Sequence, residues 1–394
     1  MTANRFRPQL HALEDRDVPA GVVTYQVNSL VDAPYDHRSA GVGVNGDNAP
    51  AGTPVDAAGW ATLRAIIDYA DQNPRTGNLQ QNSYSVDFTP VSGGTIVLDP
   101  DEGTLELDSN VQFGGVPVTI QRGAGVAAFG LFEVAQNVQC SFLNMTLTGG
   151  NSPMNGGAIL IDAGATVTVS GCTLTQNQAG ASGGAIATLA PSEEGVLGAS
   201  LSISNSTLNT NTAAFEGGAI WADTARVLSI AGSTITGNTV TSNQAGEGLG
   251  GGVAADRTAN VSISNTTISN NTAGTYGGGL YVHDDIGGIT GLVVSNSTLN
   301  NNTAATNGGG FYVDVLDDNA NFTSVTVTNN TATNGKGGGG YLKNGNLNGS
   351  LQALTGNKDA NGVNGKYAGV TYALAATCTL TAPENQQTVV QDNQ

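Results

Sequence analysis

In one stretch of the chain, an aromatic residue stands two positions before an acid or a histidine. Trp221 precedes Asp223, Tyr281 precedes His283 and Tyr312 precedes Asp314, with Ala254 before Asp256 in the same phase. Flat rings beside carboxylates suit a saccharide, whose C–H faces stack on a ring while its hydroxyls donate to an acid. The candidate ligand-binding set is therefore Trp221, Tyr281, Tyr312, Asp223, Asp256, His283 and Asp314. A plainer use stands beside it, with the aromatics as sheet neighbours and the acids as a solubilising surface.

A second group, Asp284, Asp285, Asp314, Asp317 and Asp318, offers hard oxygen ligands that would suit Ca2+, although the spacing matches no defined calcium loop. Catalysis has less to work with. Abstracting a proton beside a carboxylate takes a positioned base, and between Val138 and Leu342 the only Arg or Lys side chains are Arg226, Arg257 and Lys336. Arg257 beside Asp256 reads as a solvated ion pair. No catalytic residue is assigned, and the expectation is a protein without catalytic activity.

These residues share a face only if a repeat positions them, and the sequence has one. The first glycine of a Gly-Gly pair recurs at Gly156, Gly183, Gly217, Gly250, Gly277, Gly308 and Gly338, at spacings of 27, 34, 33, 27, 31 and 30. A repeat of that length means stacked units. Each unit carries an apolar residue three before an Asn: Leu174 and Asn177, Leu208 and Asn211, Ile235 and Asn238, Ile268 and Asn271, Leu299 and Asn302, Val327 and Asn330. Leu147 opens that series, and runs such as Leu201/Ile203 alternate with the period of a half-buried strand. After each glycine pair comes a core candidate: Ile159, Ile186, Ile220, Val253, Leu280, Phe311 and Tyr341.

Alternation then turns the next residues outward, giving Leu160, Ala187, Trp221, Ala254, Tyr281, Tyr312 and Leu342, followed two positions on by Asp162, Leu189, Asp223, Asp256, His283, Asp314 and Asn344. Short strands separated by Gly and Asn corners, with like residues in ladders, make an all-β chain wound as a right-handed parallel β-helix. The stacked Asn residues are expected to satisfy backbone groups at the corners.

Gly-Gly-Ala-Ile at Gly156 to Ile159, Gly183 to Ile186 and Gly217 to Ile220, with the downstream hydrophobic-x-x-Asn, resembles the polymorphic outer-membrane-protein repeat of adhesin-like bacterial surface β-helices. Leu, Ile or Val replaces the Phe of that motif. The resemblance implies a pectate-lyase-like β-helix surface protein. Polygalacturonases of the same fold carry Asn-Thr-Asp, Gly-His-Gly and Arg-Ile-Lys, none of which occurs here.

Outside the repeat, Leu10 to Arg16 is similar to the Leu-Glu-x-Arg tag of large surface proteins of some bacteria, within a tail over 1–20 that has no secretory signal. Residues 21–94 are expected to form an N-terminal cap with a helix near 57–72. Trp60, Leu63, Ile67 and Ala70 form its stripe, Asp56 caps its start and Pro74 helps to end it. Thr62 to Ile66 resembles the leader that precedes such repeats. Residues 95–357 form the β-helix, and 358–394 a strand pair with a polar tail from Glu384.

Charged residues are only 11% of the chain, and the net charge of −18 would repel nucleic acid. No segment is long and apolar enough to span a bilayer. Cys140 and Cys172 fall five strand positions apart in the repeat frame, so they and Cys378 read as free thiols. The expectation is a monomeric, secreted or cell-surface structural or adhesive solenoid. Two alternatives stand beside it: a carbohydrate-binding module using the aromatic and acidic ladder, with a polysaccharide or surface glycan as partner, and a polysaccharide lyase or glycoside hydrolase.

Overall fold

The computed structural model describes residues 21–34, 54–56, 60–74, 82–284 except 126, 193, 194, 196 and 245, and 291–392 except 364, 367, 374, 375, 384 and 385; residues 21, 82 and 316–318 are described by their backbone alone. The tail over 1–20, with the tag-like Leu10 to Arg16, lies outside the described residues.

The chain winds as a right-handed parallel β-helix. One turn holds four short strands, for example Ile186–Thr188, Ser200–Ser204, Thr207–Asn209 and Thr212–Ala213. Each pairs in parallel with its equivalent in the next turn. Parallel pairing in register brings identical positions together, so the repeat becomes columns. Leu147, Leu174, Leu208, Ile235, Ile268, Leu299 and Val327 stack in one fully buried column, as expected. Ile159, Ile186, Ile220, Val253, Leu280 and Phe311 form another.

The second column corrects the frame at its end. Phe311 pairs with Gly340 and Tyr312 with Tyr341, so Tyr341 is not a core residue and Leu342 does not face outward. Four glycines in a row, Gly337 to Gly340, let the pair be read one position late; the corner with positive φ is Gly337, at +68°. Gly340 fills the core position because the Phe311 ring occupies the space a side chain would need. A Cβ there would lie 2.1 Å from the ring. Gly340→Val is therefore expected to cost about 1–3 kcal/mol by overpacking. The added variant Phe311→Leu should recover part of the loss, measured as the shift in urea midpoint; equal midpoints for Gly340→Val and the parent would remove this explanation.

A polar ladder runs inside the corner between the third and fourth strands. Asn177, Asn211, Asn238, Asn271, Asn302, Asn330 and Asn357 are buried, and each Nδ2 donates to the Oδ1 of the Asn one turn on. Each Oδ1 from Asn211 on also accepts the backbone N–H of the Asn one turn back, as Asn238 Oδ1 does from Asn211, and Asn177 Oδ1 accepts that of Gly150. The amides thus satisfy corner backbone that has no strand partner. Gln387 ends the ladder, its Oε1 accepting from both the backbone N–H and Nδ2 of Asn357 at 2.9 Å. The segment read as a polar tail thus takes part in the fold, and its strand Val389–Gln391 pairs with Val370–Tyr372.

At the other end lies Leu63–Gln72, the one α-helix among the described residues. Its N-cap is Thr62, whose Oγ1 accepts from Ala65 N at 3.0 Å, rather than Asp56. Asp56 instead accepts the N–H of Trp60 at 2.8 Å, ahead of the helix. Leu63, Ile66 and Ile67 enter the solenoid core, and the helix lies against Leu105–Leu107, a strand with one pairing neighbour. Arg64 is buried with them and forks onto both oxygens of Asp32 at 2.9 and 2.8 Å. Cys140 and Cys172 are buried free thiols, and Cys378 is a half-buried one.

Candidate functional site

On the outward side of the first-face strands, Trp221, Ala254, Tyr281, Tyr312 and Tyr341 stack in register. Asp223, Asp256, His283 and Asp314 stack two positions on, followed by Asn344, which a register shift sets three positions after Tyr341. The strands thus bring the whole expected ligand-binding set onto one face. What lies over that face differs from the expectation. Tyr281, Tyr312 and Tyr341 are only 8, 5 and 9% exposed. Their rings lie face to face along the axis, 5.5 Å apart at 14° for the first pair and 5.6 Å at 13° for the second. Ring faces that cover one another leave edges and phenol groups for a ligand, not flat stacking platforms.

The cover comes from the residue just before each corner glycine. Glu216, Leu249, Tyr276, Asn307 and Lys336 form a column whose carbonyls accept the N–H of the corner glycine one turn back. At such a corner, Gly277 adopts φ +66°, and a Cβ on it would lie 2.5 Å from Leu280 O, so only glycine fits. Tyr276 consequently folds over the ladder, its ring 4.8 Å from that of Tyr312. Between this column and the two ladders lies a cleft of about 630 Å3, lined by Glu216, Leu249, Tyr276, Tyr281, His283 and Lys343 among others. Glu216, Leu249, Tyr276, Tyr341 and Lys343 were missed from sequence. Four of them were findable, three from the position before the glycine and Tyr341 from the correct glycine frame.

Ion pairs order the acidic edge. Asp256 Oδ1 is 2.8 Å from His283 Nδ1, and its Oδ2 is 3.0 Å from Arg257. Arg257 also reaches Asp223 at 3.0 Å while its side chain stays 39% exposed, so the pair reading holds, across two turns. Asp314 accepts from Lys343 at 2.9 Å and from Asn344 Nδ2 at 2.6 Å. His283 is thus bonded to one of the two carboxylates that flank it. Burial raises the proton affinity of Asp223 and of the phenols of Tyr281, Tyr312 and Tyr341. Glu216 is pushed up to about 7, first by burial and then by the charge of Asp256. The indole N–H of Trp221 opposes that shift but falls short of hydrogen-bond geometry with any acceptor.

A carboxyl whose proton affinity is higher folded than unfolded binds more protons when folded, so its ionisation favours the unfolded chain. For Glu216 the resulting loss of stability runs from its ordinary value of 4.5 up to about 7. Asp71, pushed up to about 7 by burial in the last turn of the helix, acts in the same direction from 3.8. The melting temperature is expected to fall between pH 5 and pH 7.5, and Glu216→Gln and Asp71→Asn should each flatten the slope in differential scanning calorimetry. Unchanged slopes in both variants would remove the assignment.

Of the candidate calcium ligands, Asp284 and Asp314 lie on opposite faces of their strands, and Asp284 is buried in register with Val315. Asp285 lies outside the described residues, as do the side chains of Asp317 and Asp318. Among the described residues, no three His, Cys, Asp or Glu side chains converge as a metal site.

The family described as right handed beta helix region matches residues 195–353, the stretch that supplies every cleft residue named above. The match is to that region as a whole and specifies neither the polymorphic outer-membrane-protein repeat nor pectate lyases. No curated protein and no solved structure matches the chain.

Proposed function

We propose that this β-helix is a secreted or cell-surface scaffold that adheres to saccharide through the corner cleft. One observation carries the reading: phenols, carboxylates, an imidazole and an ammonium gather in a single cleft on a rigid lattice. Its volume suits a small ligand, and its mix of aromatic wall and converging polar groups is what hydroxyl-rich ligands need. A chain with only 11% charged residues supports an exported scaffold, and no helix among the described residues is long and apolar enough to cross a membrane.

A glycan array should show binding, weakened about tenfold or more in Asp256→Asn, which removes a charged hydrogen-bond acceptor. An array without any bound glycan sinks the reading. A second reading, glycoside hydrolysis, is favoured by Glu216, which keeps its proton up to about 7, sharing the cleft with ion-paired Asp256. Release of reducing ends from array-positive glycans would decide for it.

A further inference from the structure

Resting on the saccharide reading, we infer that the cleft selects saccharides bearing a free amino group, with Glu216 receiving the ammonium. The charges of the cleft are matched unevenly. Asp256 has Arg257 and His283, Asp314 has Lys343, and Asp223 has Arg257, all within ion-pair distance. Among the described residues, Glu216 has no cation within that distance. Glu216 lines the cleft together with Leu249 and Tyr276, close enough to Asp256 and Tyr281 for their charges to act on one another. A partly buried carboxylate without a counter-ion is costly, and a ligand cation is the group that relieves it.

The surroundings fit an ammonium in particular. It has three protons to donate and accepts none. Besides Glu216, the lining offers the phenols of Tyr276 and Tyr281 as further acceptors. An anionic saccharide would meet Glu216, Asp256 and Asp314 together. A neutral one would leave Glu216 to keep its proton or ionise unpaired. The groups that tune Glu216 are Asp256 and Asp223, which disfavour its charge, and His283 and Trp221, which favour it.

The test is isothermal titration calorimetry of the full chain with a β-1,4-glucosamine oligomer, its fully N-acetylated counterpart, and ethylamine. The amino form should bind at least about tenfold more tightly than the acetylated form, the size of one charged hydrogen bond. Glu216→Gln should abolish that difference, with circular dichroism checking its fold. For the parent chain, the amino form should gain affinity between pH 5 and pH 7 while the acetylated form does not, a readout that needs no variant. Equal affinities, or a preference that survives in Glu216→Gln, overturn the inference and leave the saccharide reading standing. No binding of either oligomer, or ethylamine binding as tightly as the amino oligomer, overturns the inference; with an empty glycan array the saccharide reading falls as well.

Discussion

Asn271→Leu is expected to cost about 4 kcal/mol or more, although it keeps the branching and the number of heavy atoms of the buried side chain. Asn271 Oδ1 accepts from Asn238 N at 3.0 Å and from Asn238 Nδ2 at 2.9 Å. Its Nδ2 donates to Ile235 O and to Asn302 Oδ1, both at 3.0 Å. Leucine removes all four bonds, worth about 0.5–1.5 kcal/mol each, and leaves the buried amide of Asn238 unsatisfied at a further ~1–3 kcal/mol. The neighbouring Asn270 provides the contrast. It is exposed at φ +56°, a conformation glycine adopts freely, so Asn270→Gly should stay within about 0.5 kcal/mol of the parent. Urea titrations of the two variants check the pair of expectations, and equal midpoints would mean that the ladder contributes nothing special.

Arg64→Ala is the second large effect, expected at about 3–5 kcal/mol, because it leaves the Asp32 carboxylate buried without its charge partner. The guanidinium also donates to Gly103 O at 2.7 Å, while Asp32 Oδ2 accepts from Asp99 N at 2.8 Å. Three segments distant in sequence, around Asp32, Arg64 and the turn from Asp99 to Gly103, therefore meet at one ion pair. Arg64→Lys should restore only part of the loss, since one ammonium cannot reproduce the two-pronged contact. The double variant Arg64→Met with Asp32→Leu should be milder than Arg64→Ala but not neutral, because the N–H of Asp99 stays without its acceptor. Thermal denaturation of the three variants orders them, and Arg64→Lys matching the parent would show that charge alone is at work.

The repeat made the solenoid legible because parallel pairing converts spacing directly into neighbourhood: Leu174 stacks on Leu208, and Asp256 on His283, by counting alone. The same counting failed where the sequence offered two equivalent frames, at Gly337 to Gly340, and so misplaced Tyr341. It found the face that holds Tyr281 and Tyr312 but not its cover, because alternation follows a strand and stops at a corner. Glu216, Leu249 and Tyr276 belong to that corner. The Arg64 and Asp32 pair had no sequence signal, since nothing local links a helix to a loop about thirty residues away.

The Asn ladder has one more consequence, for how such a chain tolerates change in length. Removing Gly251 to Gly277, one whole turn of 27 residues, would join Gly250 directly to Gly278 in the same phase. Asn238 would then meet Asn302, and Ile220 would meet Leu280, with every donor matched to an acceptor as before. Excision of an entire module should disturb the scaffold less than the replacement of one carboxamide within it, though it would carry away Asp256 and Tyr276. The lattice is modular while the cleft is not: turns can be gained or lost as interchangeable parts, and each such event redraws the site written across them.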